Sequence, residues 1–251
     1  MPDHIRIAAV GDLHCSKTPE SALQSLCAEI GRAADIALFV GDLTDYGRPE
    51  EAQLLSKLLK TLSIPMLGVL GNHDFESGAQ KDLVAILEES GVTMLDGDGC
   101  EVQGIGFVGV KGFAGGFGAR GLQPWGEETI KRMVHEAVEE SLKLESALAR
   151  LRTSRKVVLL HYAPIQGTVE GEPPEIFPFL GSSRLEEPLN RYPVTAVFHG
   201  HAHHGCPEGR TKEQVPVYNV AMPLLKHTYP DRPPFRLFEV TRSEVAPSDE
   251  A

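Results

Sequence analysis

No apolar run in this chain approaches the roughly 18 residues needed to cross a bilayer, which argues against a helical membrane span. The residues ahead of the first strand-like stretch at Ile5 leave no room for a basic region and an apolar signal core of about 7–15 residues, so a cytoplasmic protein is expected. Cysteine is scarce. Cys15, Cys27, Cys100 and Cys206 are widely spaced and form no C-x-x-C pair, favouring reduced thiols over a disulfide framework. Positive charge is also short: 24 Lys and Arg face 35 Asp and Glu, for a formal net charge of -11. Affinity for a phosphate backbone comes from neutralising phosphates with basic side chains, so this balance argues against a binder of nucleic-acid polymers. No Ser/Gly linker, long single-sign charge block or solenoid repeat divides the sequence, and one domain over 1–251 is expected.

What the chain does have is five hydrophobic runs that each end in metal-seeking side chains. Ile7-Ala8-Ala9-Val10 leads into Gly11-Asp12-Leu13-His14, Ala37-Leu38-Phe39-Val40 into Gly41-Asp42, and Leu67-Gly68-Val69-Leu70 into Gly71-Asn72-His73-Asp74. Val157-Val158-Leu159-Leu160 ends at His161, and Ala196-Val197-Phe198 ends in His199-Gly200-His201-Ala202-His203. Since these clusters span residues 12 to 203, a site built from all of them needs both halves of the chain. Turn caps and core histidines explain any one cluster taken singly; turn chemistry has no reason to favour the ordered set.

The first 90 residues alternate short β-rich runs near 5–11, 35–41 and 66–70 with helical patterns at 19–33, 49–62 and 79–89, the signature of βαβ units around a parallel sheet. Pro49-Glu50-Glu51 suits a helix N-terminus. Residues 92–112 read as smaller, partly antiparallel strands. The clearest helix covers 127–151, where Ile130, Val134, Ala137, Leu144, Leu148 and Leu151 share one face, and strands return near 155–160, 194–199, 215–220 and 235–240. The fold class is α/β.

In open α/β sheets, ligands gather beyond the carboxyl ends of the strands, which is where all five clusters fall. Alternate residues of an extended segment share a face, so Asp12 and His14, and likewise His201 and His203, can chelate together. A donor set of carboxylate, imidazole and one amide suits Mn, Fe, Co or Zn better than a thiolate-rich structural site. Two such ions about 3.5–4 Å apart can share a hydroxide and stabilise the entering and leaving oxygens of a phosphoryl transfer.

The ordered series GDLH (11–14), GDLTDYG (41–47), GNHD (71–74), a lone His161 after a strand, and GHAH (200–203) resembles the calcineurin-like metallophosphoesterase superfamily. The resemblance implies a four-layer α/β/β/α sandwich with two mixed sheets and a dinuclear metal site at one edge. It implies that Asp12, His14 and His203 hold one divalent or trivalent transition-metal ion, that Asp42 bridges to a second, and that Asn72, His161 and His201 complete that second site. It further implies that His73 is the general acid, with Asp45 hydrogen-bonded to it, while a metal-bridging hydroxide attacks phosphorus. The protein Ser/Thr phosphatases of the superfamily carry GDxxDRG and GNHE, where this chain has Tyr46 and Asp74. GDLxDxG and GNHD are more similar to the bacterial branch containing small-molecule phosphodiesterases, although the usual His-x-Pro appears here as His161-Tyr162-Ala163-Pro164.

A small phosphoester is the expected substrate, with diesters ahead of monoesters because the motif blocks carry no Lys or Arg near the metals to balance a dianion. A nuclease and a noncatalytic scaffold are the remaining alternatives. The intact His73 and Asp42 argue against the scaffold. The glycine-rich stretch 112–118 lacks the ending of a P-loop and reads as a surface loop, with a substrate-facing flap as the alternative. The long segment 164–183 reads as a partial lid. Arg120 and Arg184 are equally good as phosphate contacts and as surface charges.

Overall fold

The structure, a computed structural model, describes residues 4–241. Four parallel strands open the chain: β1 (His4–Val10), β2 (Ile36–Val40), β3 (Met66–Val69) and β4 (Val92–Met94). The crossovers between them are α1 (Glu20–Ala33), α2 (Pro49–Leu59) and α3 (Gln80–Glu88). Helix α2 starts where Pro49 and the acids indicate. Glu51 turns its carboxylate back onto the amides of Arg48 and Tyr46, at 3.1 and 2.9 Å, and accepts the Ser16 hydroxyl at 2.6 Å, so the cap also ties two site loops together.

The chain continues with β5 (Asp98–Val102), β6 (Ile105–Val110), α4 (Glu128–Arg150) and β7 (Lys156–Leu160). Then come α5 (Phe177–Leu180), α6 (Glu186–Arg191), β8 (Ala196–His199), β9 (Glu208–Arg210), β10 (Pro216–Asn219), α7 (Met222–Thr228) and β11 (Arg236–Thr241). Two mixed sheets result, ordered β11-β1-β2-β3-β4 and β5-β6-β7-β8-β10-β9.

The period-two alternation of β1 shows why there are four layers. Ile5, Ile7 and Ala9 face the second sheet, meeting residues such as Phe107, Val157 and Phe198. Ala8 and Val10 point outward, against Leu23, Leu26 and Ile30 of α1. On the far side, Val108, Val158 and Val197 pack under Leu144, Ala147 and Leu148 of α4. A strand buried on both faces reads as a continuous apolar run, which is how the sequence presents β1, β2 and β7.

Several elements differ from the sequence expectation. The strands expected across 92–112 are divided between sheets: β4 joins the first in parallel, while β5 and β6 form an antiparallel hairpin at the edge of the second. Segments 186–191, 208–210 and 222–228 form α6, β9 and α7, which are too short to show a period of their own. The 164–183 segment is not structureless, holding two 3-10 turns and α5. Glu140 sits 2% exposed on the inner face of α4, where only apolar residues were expected. It is satisfied there by the Gly112 amide at 2.7 Å and the Lys143 ammonium at 2.8 Å.

Candidate metal centre

The carboxyl ends of β1, β2, β3, β7 and β8 converge at one edge of the sandwich, and the turns that follow them are sharp. Asp12, His14, Asp42 and His201 adopt φ values of 56°, 42°, 48° and 71°, a left-handed conformation that costs a side-chain-bearing residue about 1–2 kcal/mol. Strain of this kind persists where surrounding structure over-determines it. The neighbouring glycines are required by space: a Cβ at Gly71 would collide with the amide and carboxylate of Asp42, and one at Gly200 with the carboxylate of Asp12.

Three groups of potential donors result, Asp12, His14 and His203, then Asp42, His161 and His201, then His14, Asp45 and His73, each with ligand atoms within 4.8 Å of one another; the first two are the clusters that the expected ligands form. Asp42 faces both, with Oδ1 3.4 Å from His161 Nε2 and Oδ2 3.9 Å from His14 Nε2. Asn72 Oδ1 is 2.8 Å from His161 Nε2. All seven residues named as ligands therefore meet in one place.

The hydrogen bonds fix which atoms are free to bind a cation. His161 Nδ1 lies 3.2 Å from the Val40 carbonyl and Nε2 2.8 Å from Asn72 Oδ1; in the tautomer that donates from Nδ1, the Nε2 lone pair faces the oxygens of Asn72 and Asp42 and is open to a cation. Burial and then the neighbouring His201 push His161 well below the ordinary histidine range, which keeps it neutral. In that tautomer Nε2 and Asn72 Oδ1 face each other as acceptors, a repulsion that a cation between them would relieve. His14 Nε2 is buried with no hydrogen-bond partner, another atom that a metal would satisfy. His201 Nε2 donates to the Phe179 carbonyl at 3.1 Å, directing Nδ1 inward as outer hydrogen bonds do for metal-binding imidazoles. Burial, then the charges of Asp12 and Asp74, push the Asp42 carboxyl well above the usual range, a penalty that a cation would relieve. Burial acts the same way on Asp12, but the bond from His203 at 2.8 Å and the nearby imidazoles outweigh it and hold that carboxyl low. The donor set fits two metal ions.

His73 stands apart. Its backbone amide donates to Asp42 Oδ1 at 2.8 Å, its Nδ1 lies 2.7 Å from the Asp45 carbonyl, and its ring meets that of His14 edge-on at 4.7 Å. Asp45 thus meets His73 through its carbonyl. The Asp45 carboxylate lies instead 3.0 Å from His14 Nδ1, because the turn at 42–45 aims the peptide oxygen, not the side chain, at His73.

Other residues were not identified from sequence. Asp74, fully buried, accepts the amides of Leu43, Thr44 and Gly71 and the Thr44 hydroxyl, at 2.6–3.2 Å, binding the second and third loops together. The Tyr162 ring packs 4.6 Å from His201 and 5.5 Å from His161, and its place beside the lone strand-end histidine was the available signal. His199 is a buried strand residue whose ring nitrogens lie 2.8 Å from the Gly200 carbonyl and the Thr168 hydroxyl. His204 is exposed, and Cys15 is buried in the core. Arg184 bonds the Leu122 carbonyl at 3.0 Å and Arg120 is exposed; neither belongs to the donor clusters.

A calcineurin-like phosphoesterase family model matches residues 5–205. The chain belongs to that family. Proteins of this family use dinuclear metal centres. A probable glycerophosphodiester phosphodiesterase, GpdQ, of Arcobacter nitrofigilis is 26% identical over 174 residues, 67% of this chain and 56% of the relative. A probable cyclic nucleotide phosphodiesterase of Synechococcus is 32% identical over 81 residues, covering 28% of this chain and 31% of the relative. The matches thus span about half of the first relative's length and a third of the second's. Among solved structures, the phosphopantetheinyl hydrolase PptH of Mycobacterium tuberculosis superposes with a TM-score of 0.69 at 17% identity, over 95% of this chain and 97% of that one; this likeness shows the fold.

Proposed function

We propose that this phosphoesterase hydrolyses a small organic or nucleotide phosphodiester, with His73 as general acid. The observation that carries the reading is that seven expected donors converge on two clusters while His73, grouped with His14 and Asp45 beside them, has Nδ1 taken up by the Asp45 carbonyl. With His73 Nδ1–H donating to the Asp45 carbonyl, Nε2 is the nitrogen left to face the leaving oxygen, and the doubly protonated imidazolium would hand its Nε2 proton there and revert to the neutral ring, a role that contributes about 10²–10⁴ in rate. The two ions, when bound, supply Lewis acidity toward the phosphoryl oxygens and an activated water. Asp12, His14 and His203 would hold one, Asn72, His161 and His201 the other, and Asp42 would bridge. We read 1–251 as one catalytic unit, since neither half holds a full ligand set.

The diester preference draws on the two relatives named as phosphodiesterases. The argument from missing cations is weaker than the motifs suggested, because Lys111 at the end of β6 brings an ammonium close to the site. That ammonium lies 5.3 Å from the Tyr162 ring, which itself packs on His201, so an aromatic ring borders both Lys111 and the ligands. The test is a comparison of bis(4-nitrophenyl) phosphate with 4-nitrophenyl phosphate on Mn-, Fe-, Co- and Zn-loaded protein, followed by cyclic nucleotides. A higher kcat/KM for the diester is expected; a higher value for the monoester would favour the phosphomonoesterase alternative. A cytoplasmic setting is part of the proposal, motivated by four free cysteines, and cell fractionation checks it. No helix among the described residues is long and apolar enough to cross a membrane.

A further inference from the structure

The ends of β1, β2, β3, β7 and β8 carry the donor clusters, whereas the end of β6 carries Lys111. The Lys111 carbonyl accepts the amides of His161 and Tyr162 at 3.0 and 3.1 Å, so its position is locked to a metal-site segment. Its ammonium is surrounded by rings, 4.8 Å from the centroid of Phe113, 5.3 Å from Tyr162 and 5.5 Å from Phe75. An ammonium has three donors, and among the described residues one bond is seen, to the Gly112 carbonyl at 2.8 Å. A cation held in place by aromatic faces with donors to spare is suited to receive an oxygen acceptor.

Lys111 also lines a cavity of about 550 Å³. This cavity lies where the edge strands β4 and β5 of the two sheets meet α3 and α4, and its end toward the donor clusters is formed by Lys111 and Phe75. Phe75 closes the 3-10 turn that begins at His73, so the segment carrying His73 reaches the cavity, and the segment carrying His161 is tied to it through the Lys111 backbone. Leu70, Val84, Met94 and Leu95 give it an apolar wall. We propose that this cavity binds the neutral organic arm of the phosphodiester substrate, with Lys111 donating to an oxygen on that arm. The inference rests on the phosphodiesterase reading and adds where the second substituent goes.

Charge decides what kind of arm fits. Lys81, Lys111 and Lys143 are outnumbered by Glu88, Asp96, Asp98, Glu136 and Glu140 around the cavity, and Lys143 is already paired with Asp96 and Glu140 at 3.1 and 2.8 Å. The surplus of carboxylates disfavours a second anion. A nucleoside or similar group, flat on one side and carrying carbonyl or hydroxyl oxygens, satisfies both the apolar wall and the ammonium, whereas the same group bearing a further phosphate does not.

The test uses diesters sharing one leaving group, 4-nitrophenolate, so the reacting bond is constant. Methyl 4-nitrophenyl phosphate has a minimal arm, thymidine 5′-(4-nitrophenyl phosphate) a neutral one, and its 3′-phosphorylated form an anionic one. For the metal-loaded protein, kcat/KM is expected to be at least about tenfold higher for the thymidyl than for the methyl ester, and to fall when the 3′-phosphate is added. Lys111→Met should cut the thymidyl-to-methyl ratio about tenfold, mainly through KM, as loss of a charge-assisted hydrogen bond does. Val84→Trp, which fills the cavity from α3, should bring the ratio near one. Thymidine itself, followed by calorimetry, should bind the wild-type protein and not Val84→Trp. Turnover with no arm preference, or a ratio untouched by both variants, overturns the cavity assignment and leaves the phosphodiesterase reading standing. Thymidine binding without turnover of any diester does the reverse, and absence of both overturns both.

Discussion

Asp74 and His73 are neighbours in one motif, yet their side chains are placed differently. Asp74 accepts four hydrogen bonds from two site loops and has no access to solvent. Removing it leaves three amides and a hydroxyl buried without an acceptor, each costing about 1–3 kcal/mol, so Asp74→Ala should lower stability by about 3 kcal/mol or more. Urea denaturation measures this directly. His73 touches the site through its ring and its removal leaves the donor clusters intact. His73→Ala should therefore retain both metals, by elemental analysis, while losing about 10²–10⁴ in kcat, most severely for esters with poor leaving groups. Near-wild-type turnover on such esters would rule out the acid role. For Asp42→Asn, whose side chain faces both clusters, the expectation is loss of bound metal together with activity.

At the scale of elements, the loops are held by interactions that the motif residues do not announce. The glycine-rich stretch is bound to the segment around α5 through Gly115 to Pro178, Gly116 to Gly181 and Ser183 to Gly116, at 2.8–3.1 Å, and α5 supplies the Phe179 carbonyl that orients His201. Glu140 anchors the other end of that stretch through the Gly112 amide. Glu140→Ala should release it, lowering the melting temperature and speeding proteolysis between 112 and 122, with a stability loss of about 1–3 kcal/mol. Helix α4 was legible because its hydrophobic period is sustained over 23 residues, and β7 because it is an unbroken apolar run. Short ones such as β9 and α7 were not, since three to seven residues carry no usable period and their state is set by what they pack against.

The whole molecule links its metal site to its stability, because ligands from both sheets meet at one edge. Chelation should lower the melting temperature by several degrees, as expected when a ligand bound only by the native state is removed; occupancy at about 1,000 times Kd is worth about 4 kcal/mol. The metal-free protein should also be acid-sensitive. Burial pushes His14, His161 and His201 down and holds His199 at about 4. The unfolded chain takes up these protons near the ordinary value of 6.5, so stability is full above that pH and is lost as pH falls toward the folded value. Melting temperatures between pH 7 and pH 4, with and without metal, test the sign; a metal-free protein that gained stability over that interval would refute it.

The candidate donors were legible in the sequence, because parallel strands of an α/β sheet end at a shared edge and the GDLH, GD, GNHD, His161 and GHAH series places its donors there in order; their division between two ions came from the family resemblance. The α/β class followed from periodicity for the same local reason. What tertiary structure alone decided is atomic. It turned the Asp45 carbonyl rather than its carboxylate toward His73, brought the Phe179 oxygen 3.1 Å from His201, and set Lys111 among three rings beside a cavity formed by elements from both sheets. Backbone direction at a strained turn, and contacts between segments far apart in the chain, are consequences of packing, and no spacing along the sequence encodes them.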